Sequence, residues 1–216
     1  MASQRNNQPA GQRVGDDVLL DAARECLLDV GFRRTTLTDV ARRAGVSRMT
    51  LYRRFADMRS MVSDLMTREF GALFAKATAT TADAGTERDR LVTGAVAGIR
   101  ELWADPLLAR LLDLDPDLLL PYIVQRVGTT QRLVEQNLRA NIEAGQADGS
   151  IRTGDAGVIS RGVYLTLQSY ALSMRPATTG LGPDPAARRL LLDELATSLD
   201  GALRPVQRSP ADRGPA

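Results

Sequence analysis

The chain has 216 residues, 44% of them hydrophobic and 25% charged, a globular composition that excludes wholesale disorder and leaves room for a small domain joined to a larger one. It has no histidine and a single cysteine, which excludes Ser-His-Asp and Cys-His catalysis, the commonest metal ligand and an internal disulfide. Net charge is only +2, but residues 33–59 hold eight arginines against Asp39 and Asp57, a local +6 that leaves −4 for the remainder and suits a polyanion at that segment, a solvated helix surface being the alternative on charge alone.

From Asp16 onward, Val18, Leu19, Ala22, Ala23, Cys26, Leu27 and Val30 recur with helical period and Gly31 stops the pattern. A first helix is predicted over 16–30, with Cys26 as a small core residue. Thr36-Leu37-Thr38-Asp39 reads as a capping box, Asp replacing the usual Glu, for a short second helix to Ala44. Gly45 turns the chain where a left-handed backbone is cheap, and Ser47 caps a third helix, Arg48 to Phe55. Asp57 opens a long fourth helix over about 58–82, with Met61 or Val62, Leu65, Met66, Phe70, Leu73, Phe74 and Ala77 at helical spacing.

A fifth helix is marked by Leu91, Val92, Ala95, Val96, Ile99, Leu102 and Trp103, and Asp105-Pro106 starts a sixth with proline where its missing N–H costs nothing. Pro121 forces a break near Leu120, after which a seventh helix runs to about Ala147. Asp148-Gly149-Ser150 is a turn, and two last helices, about 155–175 and 184–203, are joined by a Pro/Gly loop from Arg175 to Pro185. No strand alternation persists, so the fold is all-α with about nine helices, and the polar ends 1–14 and 205–216 are expected to be disordered. No apolar run approaches the roughly 20 residues of a membrane span, and the start MASQRNNQPAGQR lacks the apolar core of a secretion signal, so a cytoplasmic protein is expected.

In TLTDVARRAGVSRMTLYRRF, Leu37, Val40, Ala41, Ala44, Val46, Leu51 and Phe55 can face inward onto the first helix and Phe32. Arg48, Met49, Thr50, Tyr52, Arg53 and Arg54 are left outside. A polar rod of this kind fits the major groove, its N-terminal residues nearest the base edges. Arginine there can bond guanine bidentately, Met49 or Thr50 can touch a thymine methyl, and Tyr52, Thr36 and Ser47 suit phosphate oxygens. Thr38 is a further candidate in the same segment.

These residues closely resemble the DNA-binding domain of the tetracycline-repressor (TetR) family, through Gly31-Phe32, Thr36 with Val40-Ala41, Ala44-Gly45-Val46-Ser47, Leu51-Tyr52 and Phe55. The resemblance is strong over about 15–75 and continues beyond in helix count, length and the Asp148-Gly149-Ser150-Ile151-Arg152 turn. It implies that Tyr52 and Thr36 hold phosphates and that Arg48, Met49, Thr50 and Arg54 lie where bases are read. It departs at Met58, where family members commonly carry a phosphate-anchoring lysine; adjacent Arg59 is the candidate substitute.

The resemblance also implies the use of the larger part: a helix-turn-helix DNA-binding domain over 15–75, then an effector-binding and dimerisation domain over 76–204. Trp103, Tyr122, Gln125, Asn137, Tyr164 and Gln168 combine apolar bulk with hydrogen-bonding capacity and are the ligand candidates. An aromatic content of 4% suggests an apolar or amphipathic small molecule. Ile159, Val163, Leu167 and Tyr170, then Leu191, Leu192, Leu195 and Leu199, are the candidates for a four-helix bundle across a two-fold axis.

The expected protein is a nucleoid-associated homodimeric regulator, a repressor released from a pseudo-palindromic operator by a small-molecule effector, with no cofactor, metal or enzymatic activity. Two other readings share some of these features. A non-specific DNA-organising protein would carry the same arginine cluster but prefer no site. A helical small-molecule enzyme would need a titrating set in a pocket, and without histidine no such set is found.

Overall fold

The structure, a computed structural model, describes residues 15–114, 129–181 and 184–205, and all regular structure among them is helical. The predicted N-terminal arm 1–14, the break at Pro121 and the tail beyond Pro205 lie outside the described residues. The elements are α1 (Asp16–Val30), α2 (Leu37–Arg43), α3 (Arg48–Arg54), α4 (Met58–Ala79), α5 (Glu87–Ala104), α6 (Pro106–Leu114), α7 (Thr129–Ala147), α8 (Ala156–Leu172), α9 (Met174–Thr178) and α10 (Asp184–Leu203). A single 3-10 turn, Phe32–Arg34, joins α1 to α2.

The short helix α9 occupies part of the segment predicted as a loop. Pro176 is its third residue, and in the first turn of a helix the missing N–H has no carbonyl to miss, so the proline does not prevent it. Among the described residues there are ten helices where the periodicity predicts about nine.

The chain divides into two compact units, the first ending at Leu65 and the second starting at Met66. In the first, α1 packs on α2 and α2 on α3 around Leu19, Leu20, Ala23, Leu27, Leu37, Val40, Ala41, Leu51 and Phe55. Cys26 is buried with them, and loss of solvent around the thiol raises its pKa. Val18 and Val30, both assigned to the inward stripe, are exposed instead: one is at the edge of the stripe, the other in the last turn.

The second unit is organised about α5, against which α7, α8 and α10 pack. Its buried cluster includes Leu91, Ile99, Trp103, Leu138, Ile142, Ile151, Ile159, Val163, Leu192, Leu195, Leu199 and Leu203. Helix starts follow the predicted chemistry. Asp105 caps α6, accepting from Leu108 N at 2.8 Å just before Pro106, and Asp155 caps α8, accepting from Val158 N at 3.0 Å. Thr86 and Asp89 form a capping box at α5.

The Asp148-Gly149-Ser150 turn ties three elements together. Asp148 accepts from Glu87 N at 3.0 Å, Ser150 Oγ accepts from Arg88 N at 3.1 Å, and Arg152 N donates to Leu203 O at 2.8 Å. The hydroxyl of Ser150 and two backbone N–H groups hold the Asp148 carboxyl below the usual carboxylate range. Buried Ile151 is seated against Gly145 of α7, and a Cβ there would lie 2.6 Å from Ile151 Cγ1 and 3.1 Å from Cβ.

Glycine to alanine inside a helix normally adds stability of about 1 kcal/mol. At Gly145 the sign is expected to reverse. Overpacking against a side chain with no room to retreat should cost about 1–3 kcal/mol, seen as a lower urea midpoint at unchanged m. A midpoint at or above that of the native chain would show that Ile151 can yield.

Candidate nucleic-acid interface

The site is built on two caps and one turn. Thr36, extended at φ −116° and ψ 157°, caps α2: Asp39 N donates to its Oγ1 at 3.2 Å and Thr36 N donates back to Asp39 Oδ2 at 3.1 Å. The Thr36 hydroxyl donates to the same carboxylate at 2.5 Å, and with the Thr36 N–H it holds Asp39 below the usual carboxylate range. Arg42 pairs with Asp39 at 2.7 Å.

At the other end of α2 the chain reverses through Gly45, whose φ of +68° is the left-handed region a side chain rarely adopts. Gly45 N donates to Arg42 O at 3.3 Å and Val46 N to Ala41 O at 3.0 Å, so two carbonyls left over by the helix end are satisfied within the turn. Ser47 then caps α3, its Oγ accepting from Thr50 N at 3.1 Å and lying 2.9 Å from Thr50 Oγ1.

Leu51 is fully buried and Phe55 nearly so, which fixes the orientation of α3. Its other face is open: Met49 is 75% and Tyr52 52% exposed, and Arg48, Arg53 and Arg54 are exposed with them. Thr50 is half-buried beside its cap, and Thr38 is half-buried on α2. Arg59 is exposed in the first turn of α4, close enough to Asp57 for its charge to help lower that carboxyl; the larger cause is the Ser60 N–H, which donates to Asp57 Oδ1 at 2.7 Å.

The arginine cluster is less free than its count suggests. Arg43 pairs with Asp29 at 2.5 Å and Glu25 at 3.5 Å, Arg42 with Asp39, and Arg54 with Asp16; Arg34 donates to Val30 O at 3.0 Å. Arg48 and Arg53 make no ion pair with any described residue. Partners separated by 14 and 38 residues, such as Asp29 for Arg43 and Asp16 for Arg54, leave no local signal in the sequence.

Most of the other candidates lie in the second unit. Trp103 is buried in the core around α5 and its indole N–H donates to Tyr170 O at 2.9 Å, so it packs and offers no spare polar hydrogen. Tyr164 is half-buried, and loss of solvent raises its phenol despite a hydrogen bond with Gln131. Asn137 accepts from Asn141 at 3.2 Å, Gln168 is half-buried, and Tyr122 and Gln125 lie outside the described residues.

The two-fold candidates divide. Ile159, Val163, Leu192, Leu195 and Leu199 are buried in the chain's own core, with Leu167, Tyr170 and Leu191 packed partly against it. Within the single chain these five are core residues, two on α8 and three on α10. The apolar surface left open on α8 is instead Val158, 71% exposed, and Leu165, 55% exposed, with Gly162 between them.

With this geometry in view, the comparisons with known proteins agree on one family. Residues 19–65 match the family described as bacterial regulatory proteins, tetR family. An uncharacterised HTH-type transcriptional regulator of Mycobacterium bovis is 36% identical over 185 residues, 86% of this chain and 92% of that one. Among solved structures, the fatty acid degradation regulator FadR of Bacillus halodurans superposes with a TM-score of 0.63 at 19% identity, over 91% of this chain and 99% of that one. FadR of Bacillus subtilis in complex with stearoyl-CoA does so with a TM-score of 0.62 at 16% identity, over 88% and 100%. No helix among the described residues is long and apolar enough to cross a membrane. The chain belongs to the tetR family of bacterial regulatory proteins and is an HTH-type transcriptional regulator, a class distinct from the enzymes.

Proposed function

We infer that the protein is a cytoplasmic homodimeric repressor that reads a pseudo-palindromic operator with α3 and leaves it when a small molecule binds. The observation that carries the reading is the open face of α3, where Arg48 and Arg53, without an ion pair among the described residues, flank Met49 and Tyr52 on a helix anchored by buried Leu51 and Phe55. Arg48 and Thr50, in the first turn of α3, are assigned to base edges with Met49 against a thymine methyl; Tyr52, Arg53 and Arg59 are assigned to phosphates. Thr36 and Ser47 act mainly through the caps that present α3, and Thr38, half-buried on α2, is assigned to the phosphate-facing side. In a dimer two copies of α3 would enter successive major grooves about 34–36 Å apart.

Residues 15–75 would then serve DNA and 76–204 the effector and the dimer. The dimer face is assigned to the open α8 stripe of Val158, Gly162 and Leu165. An effector works by preferring the conformation with weaker operator affinity, and its effect is bounded by that preference. The effector is assigned to the apolar or amphipathic class, of which stearoyl-CoA in the Bacillus subtilis structure is an example, with Tyr164, half-buried against the apolar core, as a candidate to meet it.

Selection from random duplexes with the purified protein tests the central claim. One two-fold symmetric site should be enriched, whereas a DNA-organising protein would enrich none. Tyr52→Phe, which removes a hydroxyl assigned to a phosphate, is expected to weaken binding severalfold and equally on selected and unrelated duplexes in a gel-shift titration. A loss confined to the selected site would move Tyr52 to base reading.

A further inference from the structure

The ion pair between Arg54 and Asp16 joins the last residue of α3 to the first of α1, and both side chains remain about half exposed, 55% and 46%. It is not needed to hold α3. That helix is already fixed by Leu51 and Phe55 in the core and by the Ser47 cap at its start. An exposed pair also contributes little to stability, because water screens both charges. What it does accomplish is the local cancellation of a positive charge at one end of the face assigned to DNA, while Arg48 and Arg53 remain uncompensated.

The geometry points to Asp16 as an internal competitor for Arg54, occupying with a carboxylate the guanidinium that a DNA phosphate would otherwise take. The inference rests on the reading of α3 as the DNA-binding helix. Arg54 is then not a base reader in the free protein. Its transfer to a phosphate gives up one ion pair for another and leaves Asp16 facing the polyanion uncompensated. The competitor therefore holds down affinity for every sequence alike and makes the measured salt dependence shallower than the number of nearby arginines implies.

The test uses the full chain and the selected duplex, with affinity measured by fluorescence anisotropy over a salt series. Asp16→Asn is expected to tighten binding roughly five- to tenfold at about 0.1 M salt and to steepen the slope of log K against log salt by roughly 0.9 per half-site. Arg54→Ala alone should change affinity less than twofold, and in the Asp16→Asn background it should remove the whole gain. Asp17→Asn makes the same charge change one residue along, at a carboxylate with an interaction of its own, while leaving the Asp16–Arg54 pair in place, and should give the smaller gain.

If the pair were a strut, Asp16→Asn and Arg54→Ala would each weaken binding, and that result overturns the inference. So does an unchanged slope in Asp16→Asn, or an equal gain in Asp17→Asn. These failures differ from failure of the DNA reading itself, in which the unmodified protein selects no site. A thermal melt of each variant separates loss of the fold from loss of binding.

Discussion

Replacing Arg48 by alanine is expected to cost about 1–3 kcal/mol at each half-site, and to relax the base preference at one position in each half of the operator. Arg48 is the first residue of α3, exposed and without an ion pair among the described residues, so removing it opens no cavity and strands no described carboxylate. The loss should therefore be one of recognition with the melting temperature unchanged. Because a dimer carries the defect twice, affinity for the selected site should fall by roughly two orders of magnitude or more, while binding to unrelated duplexes falls only by the loss of one positive charge per protomer. Repeating the site selection with the variant gives the second readout. An enriched sequence identical to that of the unmodified protein would remove Arg48 from base reading.

Leu165→Glu is expected to have the larger effect on assembly. Val158 and Leu165, one above the other on α8, are exposed in the isolated chain although the helix's opposite face is core. A glutamate in that stripe would place two like charges across a two-fold axis with no compensating partner. The protein should sediment as a monomer, and operator affinity should fall about a hundredfold or more because the second half-site is no longer reached intramolecularly. Leu133→Glu, at a leucine equally exposed on α7, serves as the control and should leave the dimer intact. A dimer that survives Leu165→Glu would place the two-fold face elsewhere.

Local chemistry was readable in the sequence wherever it acts over a few residues. The Thr36–Asp39 box, the Gly45 turn, the Ser47 cap and the Asp105-Pro106 start each follow from side chains within four positions of one another, and the helices they begin stand where those residues place them. What periodicity does not encode is which apolar stripe is covered by another helix of the same chain and which is left open. Ile159 and Val163 are indistinguishable by pattern from Val158 and Leu165, and only the packing of α5 and α7 against one side of α8 separates them. For the same reason charge counting overstated the positive face. Arg43 and Arg54 are spent on carboxylates brought near by the tertiary fold, and the surplus rests on fewer residues than the composition suggests.

The solitary thiol of Cys26 is buried in the first unit, yet it lines a surface pocket there with Asp29, Val30, Arg34, Asp39, Arg42 and Arg43. Burial raises its pKa and so slows attack of its thiolate on a maleimide. Its labelling rate thus makes a built-in gauge of access to that pocket, with no second sulfhydryl to confuse the signal, and operator or effector that tightens or loosens the first unit would register as a change in that rate.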